Sequence, residues 1–303
     1  MRIGIVLDTS QPFDGVVDQA RKAAGAGFAY VASSQIFGYD ALTLLAAVGL
    51  QVPDIELATA VVPTYPRHPI VLAAQALTVQ AIAGPRLTLG IGLSHQVVIE
   101  GMYGYSYDRP ARHMRDYLSA LMPLLRGEQV SYEGQTLKAA TMAPLEVKVP
   151  APPVLVAALA PRMLELAGRL ADGTATWMTG PDTVAKHIVP SISEAASAAG
   201  RPAPRVSVGL PICVTSDPDG ARERADRAFA VYGQLPSYRS MLDREGAAGP
   251  GQVAVVGEED AVTAQLESIF AGGATEFSAA PYGSPDEVER TVSHLAELAR
   301  RPA

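Results

Sequence analysis

The chain has 303 residues, of which 48% are hydrophobic and 18% charged, and its formal net charge is -7. A chain of this length and composition can bury one large core, which argues against disorder. Its acidic balance and the lack of any Lys/Arg cluster exclude a general nucleic-acid binder and favour a small-molecule partner. The single cysteine, Cys213, excludes an intrachain disulfide framework and a multi-cysteine metal site.

The beginning of the chain carries no signal-peptide pattern, because the strand-like segment Ile3–Leu7 follows the first two residues directly. The sequence also contains no long uninterrupted apolar span. We therefore expect a soluble, cytoplasmic protein without a membrane partner, folded as a single domain over residues 1–303.

Strand-like and helix-like segments alternate along the whole chain. Continuous apolar runs are typical of parallel strands that are covered on both faces. They predict strands at Arg2–Leu7, Phe28–Ala32, Ile55–Val61, Arg86–Ile91, Pro153–Ala157, Gly173–Trp177, Val206–Val214 and Thr275–Ala279. Several of the intervening helices begin with a capping residue or a proline. These helices are predicted at Asp14–Ala26, Asp40–Val52, Pro69–Ala83, Arg109–Leu125, Pro161–Leu170, Pro181–Ala199, Asp217–Tyr232, Glu259–Ala271 and Pro285–Arg300.

Eight strand–helix units in a chain of this length predict an α/β protein with a (βα)8 TIM barrel, closed by right-handed crossovers. The competing architecture is a doubly wound open sheet. That fold would carry a glycine fingerprint after the first strand, whereas Leu7 is followed by Asp8-Thr9-Ser10-Gln11-Pro12. The barrel is therefore the preferred fold.

Insertions interrupt the repeat after the fourth and seventh strands. Residues 93–108 and residues 233–252, the latter rich in Gly, Ser and Pro, follow strand ends on the face where barrel enzymes bind substrates, so both are candidate lids. A third irregular segment, Gly127–Pro152, contains a predicted hairpin that turns at Glu133-Gly134. We assign the hairpin a structural role.

The third strand runs directly into a proline-rich loop, Pro63-Thr64-Tyr65-Pro66-Arg67-His68-Pro69. Proline fixes φ, removes a backbone donor and biases the preceding residue toward extended geometry. The strand must therefore end in a rigid, shaped loop, and Pro69 suits the first position of the next helix. Loops of this kind, between a buried strand and a buried helix, commonly carry functional residues.

These residues resemble a known family. The segment Thr59–Pro69 closely resembles the luciferase-like superfamily, specifically its coenzyme F420 (deazaflavin) dependent oxidoreductases. The segments Leu89–Gln96, Tyr107–Met114 and Val156–Gly173 look like the same family, so the similarity covers essentially the whole chain. The resemblance implies a bacterial-luciferase-like TIM barrel, a homodimer, and hydride transfer between F420 and an organic substrate that the sequence does not identify.

The resemblance also implies a non-prolyl cis peptide bond four residues before the strand-three proline, in a bulge against the deazaflavin ring. By this spacing the bond is Thr59–Ala60, and Thr59, Ala60 and Val61 contact the cofactor. Small residues here allow a ring to approach the backbone closely. The alternative is an ordinary trans strand end.

Further cofactor-binding residues follow from the same resemblance. The start of a helix offers N–H groups and a favourable dipole to the anionic part of the cofactor. Gly92 allows a sharp turn, Trp177 flanks the site unless it is only core packing, and Arg162 is either a charge partner or solvent-exposed. The full set comprises Ser33, Ser34, Thr59, Ala60, Val61, Gly92, Ser94, His95, Gln96, Ala158, Leu159, Ala160, Arg162 and Trp177.

His95 is the best catalytic candidate, because an imidazole donates or accepts a proton near neutral pH, and Tyr103 is the second. The alternative for His95 is a histidine of a surface loop. Many relatives carry Asp or His where this chain has Ser33 and Ser34, a departure that leaves the substrate and the proton donor open. The five histidines show no metal-ligand spacing, so no metal is predicted.

Three other functions stay open. The first is an FMN-dependent luciferase-like monooxygenase on the same barrel, which would bind FMN and consume oxygen. The second is a deazaflavin-binding protein without turnover, suggested by the lack of a charged acid/base pair around the site. The third is a phosphate-binding barrel enzyme with other chemistry, for which Ala279-Ala280-Pro281-Tyr282-Gly283 offers little support.

Overall fold

A closed parallel barrel forms the centre of the molecule, in a computed structural model that describes residues 1–301. The ring runs β1-β2-β3-β5-β8-β9-β10-β12 and closes on β1, which confirms the predicted (βα)8 architecture. The strands are β1 (Ile3–Val6), β2 (Tyr30–Ser33), β3 (Glu56–Thr59), β4 (Val62–Pro63), β5 (Leu87–Gly92), β6 (Ser131–Glu133), β7 (Lys138–Ala140), β8 (Val154–Val156), β9 (Gly173–Trp177), β10 (Arg205–Val214), β11 (Val255–Gly257) and β12 (Glu276–Pro281).

Helices cover the outside of the barrel, and proline or a capping side chain begins most of them. The helices are α1 (Phe13–Ala26), α2 (Ala41–Gln51), α3 (Pro69–Ala83), α4 (Gln96–Gly101), α5 (Pro110–Leu125), α6 (Pro161–Leu170), α7 (Pro181–Thr183), α8 (Val189–Ala198), α9 (Pro218–Ala228), α10 (Ala230–Gln234), α11 (Pro236–Glu245), α12 (Pro250–Val253), α13 (Glu259–Ala271) and α14 (Pro285–Arg300). Asp40 caps α2 through Thr43 N, and Ser284 forms a capping box with Glu287 at α14.

Alternation along the strands separates two cores. Of every two consecutive residues in a strand, one points its side chain outward. These outward valines, leucines and isoleucines pack beneath the helices as the main apolar core. The other points into the barrel. At the N-terminal end of the strands the interior is filled by ion pairs, in which Glu276 accepts from Arg2 and Arg205 at 2.9 Å each. This end is therefore sealed, which leaves the opposite end for a ligand.

Several predicted boundaries were wrong. The predicted strand Ile55–Val61 ends at Thr59, and a short second piece, β4, continues beside β5. The predicted helix Pro181–Ala199 is interrupted by a π-helical turn at Val184–Ile188. The hairpin exists, but its turn covers residues 134–137 and is closed by a bond from Gly134 N to Leu137 O of 2.9 Å.

Both insertions contain helices that the sequence did not indicate. Residues 93–108 include α4, and residues 233–252 include α11 together with most of α12. Their short helices gave weak periodicity, and Gly, Ser and Pro between them suggested loops. Among residues 1–301 no helix is long and apolar enough to cross a membrane.

Candidate functional site

Small side chains line the interior of the barrel at the C-terminal ends of four neighbouring strands. By register and alternation, the inward positions at these ends are occupied by glycine and alanine, except for Leu155, which pairs with Gly90. We call this surface the small-residue floor; it comprises Ala32, Ala58, Ala60, Gly90, Gly92 and Ala157. A Cβ atom added at Gly92 would lie 3.2 Å from the Cβ of Ala157 and 2.8 Å from Val61 Cγ2. The missing side chain at Gly92 thus leaves the room that Val61 occupies.

A bulge after β3 crosses the floor, and its cis peptide bond is Ala60–Val61. The predicted position, Thr59–Ala60, was therefore wrong by one residue. Pairing with β2 explains the shift, because Ser33 pairs with Thr59 and Ala60 N donates to Ser33 O at 2.9 Å, so the chain stays extended through Ala60. Thr59 Oγ1 also bonds both Gly90 N, at 2.8 Å, and Gly90 O, at 2.7 Å.

The side chains of Ser33, the last residue of β2, and Ser34, the residue after it, point to opposite sides of the sheet. Ser34 is half-buried, and its hydroxyl donates to Ala60 O at 2.8 Å, so it supports the bulge from the interior side. Ser33 has the outward parity of Val31, is fully buried, and its hydroxyl has no partner among residues 1–301. The structure therefore does not bring Ser33 to the interior with the other predicted site residues.

The loop after β5 turns above the floor. Ser94 adopts a left-handed conformation with φ 59°, and its carbonyl accepts a bond of 3.1 Å from the Tyr107 hydroxyl. His95 follows as the N-cap residue of α4, and burial lowers the pKa of its imidazole, which favours the neutral ring. Its ring meets the edge of Tyr238 at a centroid distance of 5.6 Å.

Two predicted residues of this loop lie farther out. Gln96 is exposed, and its amide donates to Glu100 Oε2 at 2.9 Å. Tyr103 is 42% exposed and stacks on Tyr105 with the ring centroids 6.4 Å apart. In this arrangement neither side chain contacts the floor, so their predicted roles would need a movement of the loop.

The N-terminus of α6 lies at the open end of the barrel, just after β8. Ala158 is fully buried and its N–H donates to Thr174 Oγ1 at 3.3 Å, whereas the N–H groups of Leu159 and Ala160 form no bond within residues 1–301. The Leu159 carbonyl accepts a bond of 2.8 Å from His187 Nε2. Arg162 is exposed and forms an ion pair with Glu165, one turn along the helix. The N–H groups of Leu159 and Ala160, rather than the side chain of Arg162, are thus the free donors at the start of α6.

Trp177 ends β9 with an inward side chain, level with Gly209 on β10. Its indole Nε1 is buried and has no hydrogen-bond partner among residues 1–301. A buried N–H without an acceptor is unfavourable unless a ligand supplies one. The ring packs edge-on against Phe229 and Tyr232, each at 5.9 Å between centroids.

Sequence reasoning missed the aromatic group that surrounds Trp177. We call this group the aromatic wall; it comprises Trp177, Phe229, Tyr232, Tyr238 and Tyr282. Tyr238 lies in the insertion with turn-like composition and contacts Tyr232 at 5.2 Å between centroids. The three-residue spacing of Phe229 and Tyr232 was the one available signal, since it places both on one side of a helical turn.

The proline-rich loop beside this site is held by its neighbours, as the sequence predicted. Tyr65 stacks face to face on His113 with centroids 3.9 Å apart, and Thr64 Oγ1 lies 3.1 Å from His113 Nε2. Burial lowers the pKa of His113 to about 4. The Tyr117 hydroxyl donates to Arg67 O at 2.8 Å. Behind Tyr65, outside the barrel, is a separate cavity of about 680 Å³.

The residues at the end of the barrel fit a planar ring system. Because Gly90 and Gly92 have no side chains, the bulge with Val61 packs directly against β5 and forms the surface that a flat group would meet. The Trp177 N–H offers an unused donor to a ring carbonyl, and the N–H groups of Leu159 and Ala160 suit an anion at a helix N-terminus. A tricyclic deazaflavin or flavin with an anionic side chain has these features.

Comparison with known proteins identifies the family of the chain. The family model for luciferase-like monooxygenases matches residues 1–301. The chain is 27% identical to a 5,10-methylenetetrahydromethanopterin reductase of Methanolobus tindarius, over 98% of this chain and 91% of that protein. It is 29% identical to a putative coenzyme F420-dependent oxidoreductase of Mycobacterium tuberculosis, over 57% of this chain and 54% of that protein.

A solved structure shows the same fold. The coenzyme F420 dependent tetrahydromethanopterin reductase of Methanopyrus kandleri superposes with a TM-score of 0.83, covering 98% of this chain and 97% of that chain. Its sequence identity is 21%, so this likeness concerns the fold.

Proposed function

Because this chain belongs to the luciferase-like monooxygenase family, we propose that it is an oxidoreductase that transfers a hydride between coenzyme F420 and a small organic substrate. The observation that carries the proposal is the small-residue floor beside the buried, unpartnered N–H of Trp177. The names of the relatives in Methanolobus tindarius and Mycobacterium tuberculosis support the reaction class.

Residues around the floor would hold the cofactor. When bound, the deazaflavin supplies hydride-transfer chemistry and reacts poorly with oxygen. Ala60, Val61 and Gly92 would contact one face of its ring, and Trp177 would donate to an oxygen at its edge. Leu159 and Ala160 would donate their N–H groups to its anionic chain. Ser34 holds the bulge through its bond to Ala60 O.

The candidate lids, residues 93–108 and 233–252, would exclude water from the site, and the first of them carries the residues that would exchange a proton with the substrate. His95 is half-buried with a lowered pKa, so at neutral pH its imidazole is neutral and can accept a proton from a substrate hydroxyl or donate a hydrogen bond to a substrate oxygen. Tyr103 would take part only if its loop closed over the site, because it is exposed in the present arrangement. Excluding water would strengthen every polar contact within the site.

The choice of cofactor can be tested with the fluorescence of Trp177, the chain's single tryptophan. We expect F420 to quench this fluorescence at lower concentration than FMN, and the deazaflavin absorbance to change once a suitable substrate is added. Trp177→Phe, assayed by calorimetry because it lacks the reporter, should bind F420 about fivefold more weakly, the effect of one lost hydrogen bond of about 1 kcal/mol. Tighter binding of FMN with oxygen consumption would contradict the proposal, and F420 binding without hydride exchange would indicate a binding protein.

We further propose that the chain forms a homodimer through α2 and α3. These helices, of 11 and 15 residues, contain no charged residue and pack side by side on the outside of the barrel. Leu50, Val71 and Ile82 are 70%, 50% and 45% exposed on them. An uncharged, partly apolar helix pair of this length suits a second copy of the chain better than solvent.

A further inference from the structure

Four of the five rings of the aromatic wall, all except Trp177, have no role in the proposed binding of the cofactor. Its rings come from the end of β9, from residues 229–232 at the end of α9 and in α10, from the second insertion, and from the residue that follows β12. Each of its rings is half-buried, so each keeps an open edge or face. Edge-to-face contacts between 5.2 and 5.9 Å connect all five rings. The wall is thus one continuous apolar surface.

The wall carries no charge at neutral pH. Burial raises the pKa of Tyr238, and the nearby phenols of Tyr232 and Tyr107 raise it further. Burial also lowers the pKa of His95, whose ring touches Tyr238. Tyr238 and His95 therefore stay neutral. Arg224, whose charge acts on the pKa of Tyr282, is already paired with Glu287 at 2.6 Å. A charged ligand beside Tyr238 would therefore lose its hydration without gaining an unpaired charge of opposite sign.

Two charged residues of the neighbouring insertion, Arg239 and Glu245, are engaged elsewhere. Arg239 donates to Asp243 and to the carbonyls of Ala247 and Ala248. The Glu245 carboxylate accepts from the N–H groups of Asp182 and Thr183, at 3.1 and 2.7 Å. Neither group is free to pair with an ionic substrate at the wall.

The Tyr238 hydroxyl is the polar group best placed to meet a substrate. Its ring lies between Tyr232 and His95, and the phenol of Tyr107 is near enough to affect its ionisation. The hydroxyl forms no hydrogen bond with another of residues 1–301 and is not one of the fully buried polar atoms, so it is available as a donor.

From this arrangement we propose that the aromatic wall binds a planar, uncharged, largely apolar substrate, and that Tyr238 donates a hydrogen bond to its carbonyl or hydroxyl oxygen. The inference rests on the proposed function, since it concerns the substrate of the same site. Tyr238 acts as a specificity residue, because it favours substrates that have an oxygen within reach of its hydroxyl. The aromatic rings favour substrates whose remaining atoms form a flat apolar ring system.

Three matched probes test this: 9-fluorenone, fluorene, which lacks the oxygen, and 9-fluorenone-2-carboxylate, which adds a charge. Calorimetry measures their binding to the F420-loaded and the cofactor-free protein. We expect 9-fluorenone to bind at least tenfold more tightly than its carboxylate. Tyr238→Phe should weaken 9-fluorenone binding about fivefold and leave fluorene unchanged, as expected for one hydrogen bond.

The controls separate this inference from the proposed function. Tyr132 lies on the distant hairpin, and its hydroxyl donates to Asp116 on α5. Tyr132→Phe removes this hydroxyl and should leave the binding of all three probes unchanged. Quenching of Trp177 by F420 should be the same in Tyr238→Phe as in the wild type. Equal affinity for 9-fluorenone and its carboxylate, or an equal loss for fluorene and 9-fluorenone, would overturn the inference. Failure of F420 to bind the wild type would instead overturn the proposed function.

Discussion

At the scale of single residues, the glycines of the floor matter because they have no side chain. Gly90 and Gly92 are needed because the bulge after β3 occupies the positions where their side chains would be. Val61 fills that space instead, and Thr59 fixes the distance between the strands through both polar groups of Gly90. The sequence showed the glycines, but only the packed structure showed what lies against them.

Gly90→Ala tests this close approach. The new Cβ would lie 2.0 Å from Thr59 O, which requires the bulge to move, so we expect a loss of about 1–3 kcal/mol in the free energy of unfolding and weaker F420 binding. Gly25→Ala is the matched control, because nothing lies within 4 Å of its Cβ position on α1, and it should stabilise the protein by about 0.5 kcal/mol. Denaturant unfolding and fluorescence titration measure both effects. Equal stability of the two variants would refute the packing argument.

His113 should make stability depend on pH. Its folded pKa of about 4 is below the ordinary value of 6.5, so the unfolded chain takes up the proton first as the pH falls. The contribution is fully present above pH 6.5 and should decrease by about 2–3 kcal/mol between pH 6.5 and 4. His113→Phe keeps a flat ring against Tyr65 and should flatten the profile in this window. His95 acts in the same direction in both proteins, so it cancels in the difference. Parallel profiles would contradict the prediction.

At the scale of elements, one side chain of the second insertion caps a helix of the barrel. Glu245, at the end of α11, caps the N-terminus of α7 directly after β9. Gly180 allows this, because a Cβ there would lie 2.3 Å from the Glu245 carboxyl carbon. The capping contact holds α11, and therefore Tyr238, in place beside His95.

Glu245→Ala should release α11 without unfolding the barrel. We expect a loss of about 1 kcal/mol from the missing cap and faster hydrogen exchange across residues 236–245. Asp243→Ala, on the same helix, removes only an exposed pair with Arg239 and should change the stability by less than about 0.5 kcal/mol. Exchange mass spectrometry of both variants gives the comparison, and identical exchange in α11 would show that the cap does not hold the insertion.

At the scale of the whole molecule, the barrel has one closed and one open end. Ion pairs of Arg2 and Arg205 with Glu276 fill the closed end, while glycine, alanine and the bulge with Val61 line the open end. The uncharged helices α2 and α3 lie on the outer surface, where charged residues would be expected in a monomer. The assembled protein is thus expected to have two copies with separate sites.

The dimer can be tested by placing a charge on this surface. The wild type should have the mass of two chains in light scattering, whereas Leu50→Asp combined with Ile82→Asp should give one chain, because a buried unpaired carboxylate opposes association. Val231→Asp, at a 57% exposed position on α10, is the control and should stay dimeric. A monomeric wild type, or a double variant that remains dimeric, would contradict the interface.

The sequence by itself determined the order of elements, the barrel, the family resemblance and the strand ends that carry the site. These follow from local patterns, since apolar runs, caps and prolines act within a few residues. The position of the cis bond, the outward turn of Ser33 and the aromatic wall were decided only by the tertiary structure. Each depends on residues far apart in the chain: pairing of Thr59 with Ser33, the alternation that a closed barrel imposes, and packing of Tyr238 against Tyr232 and His95.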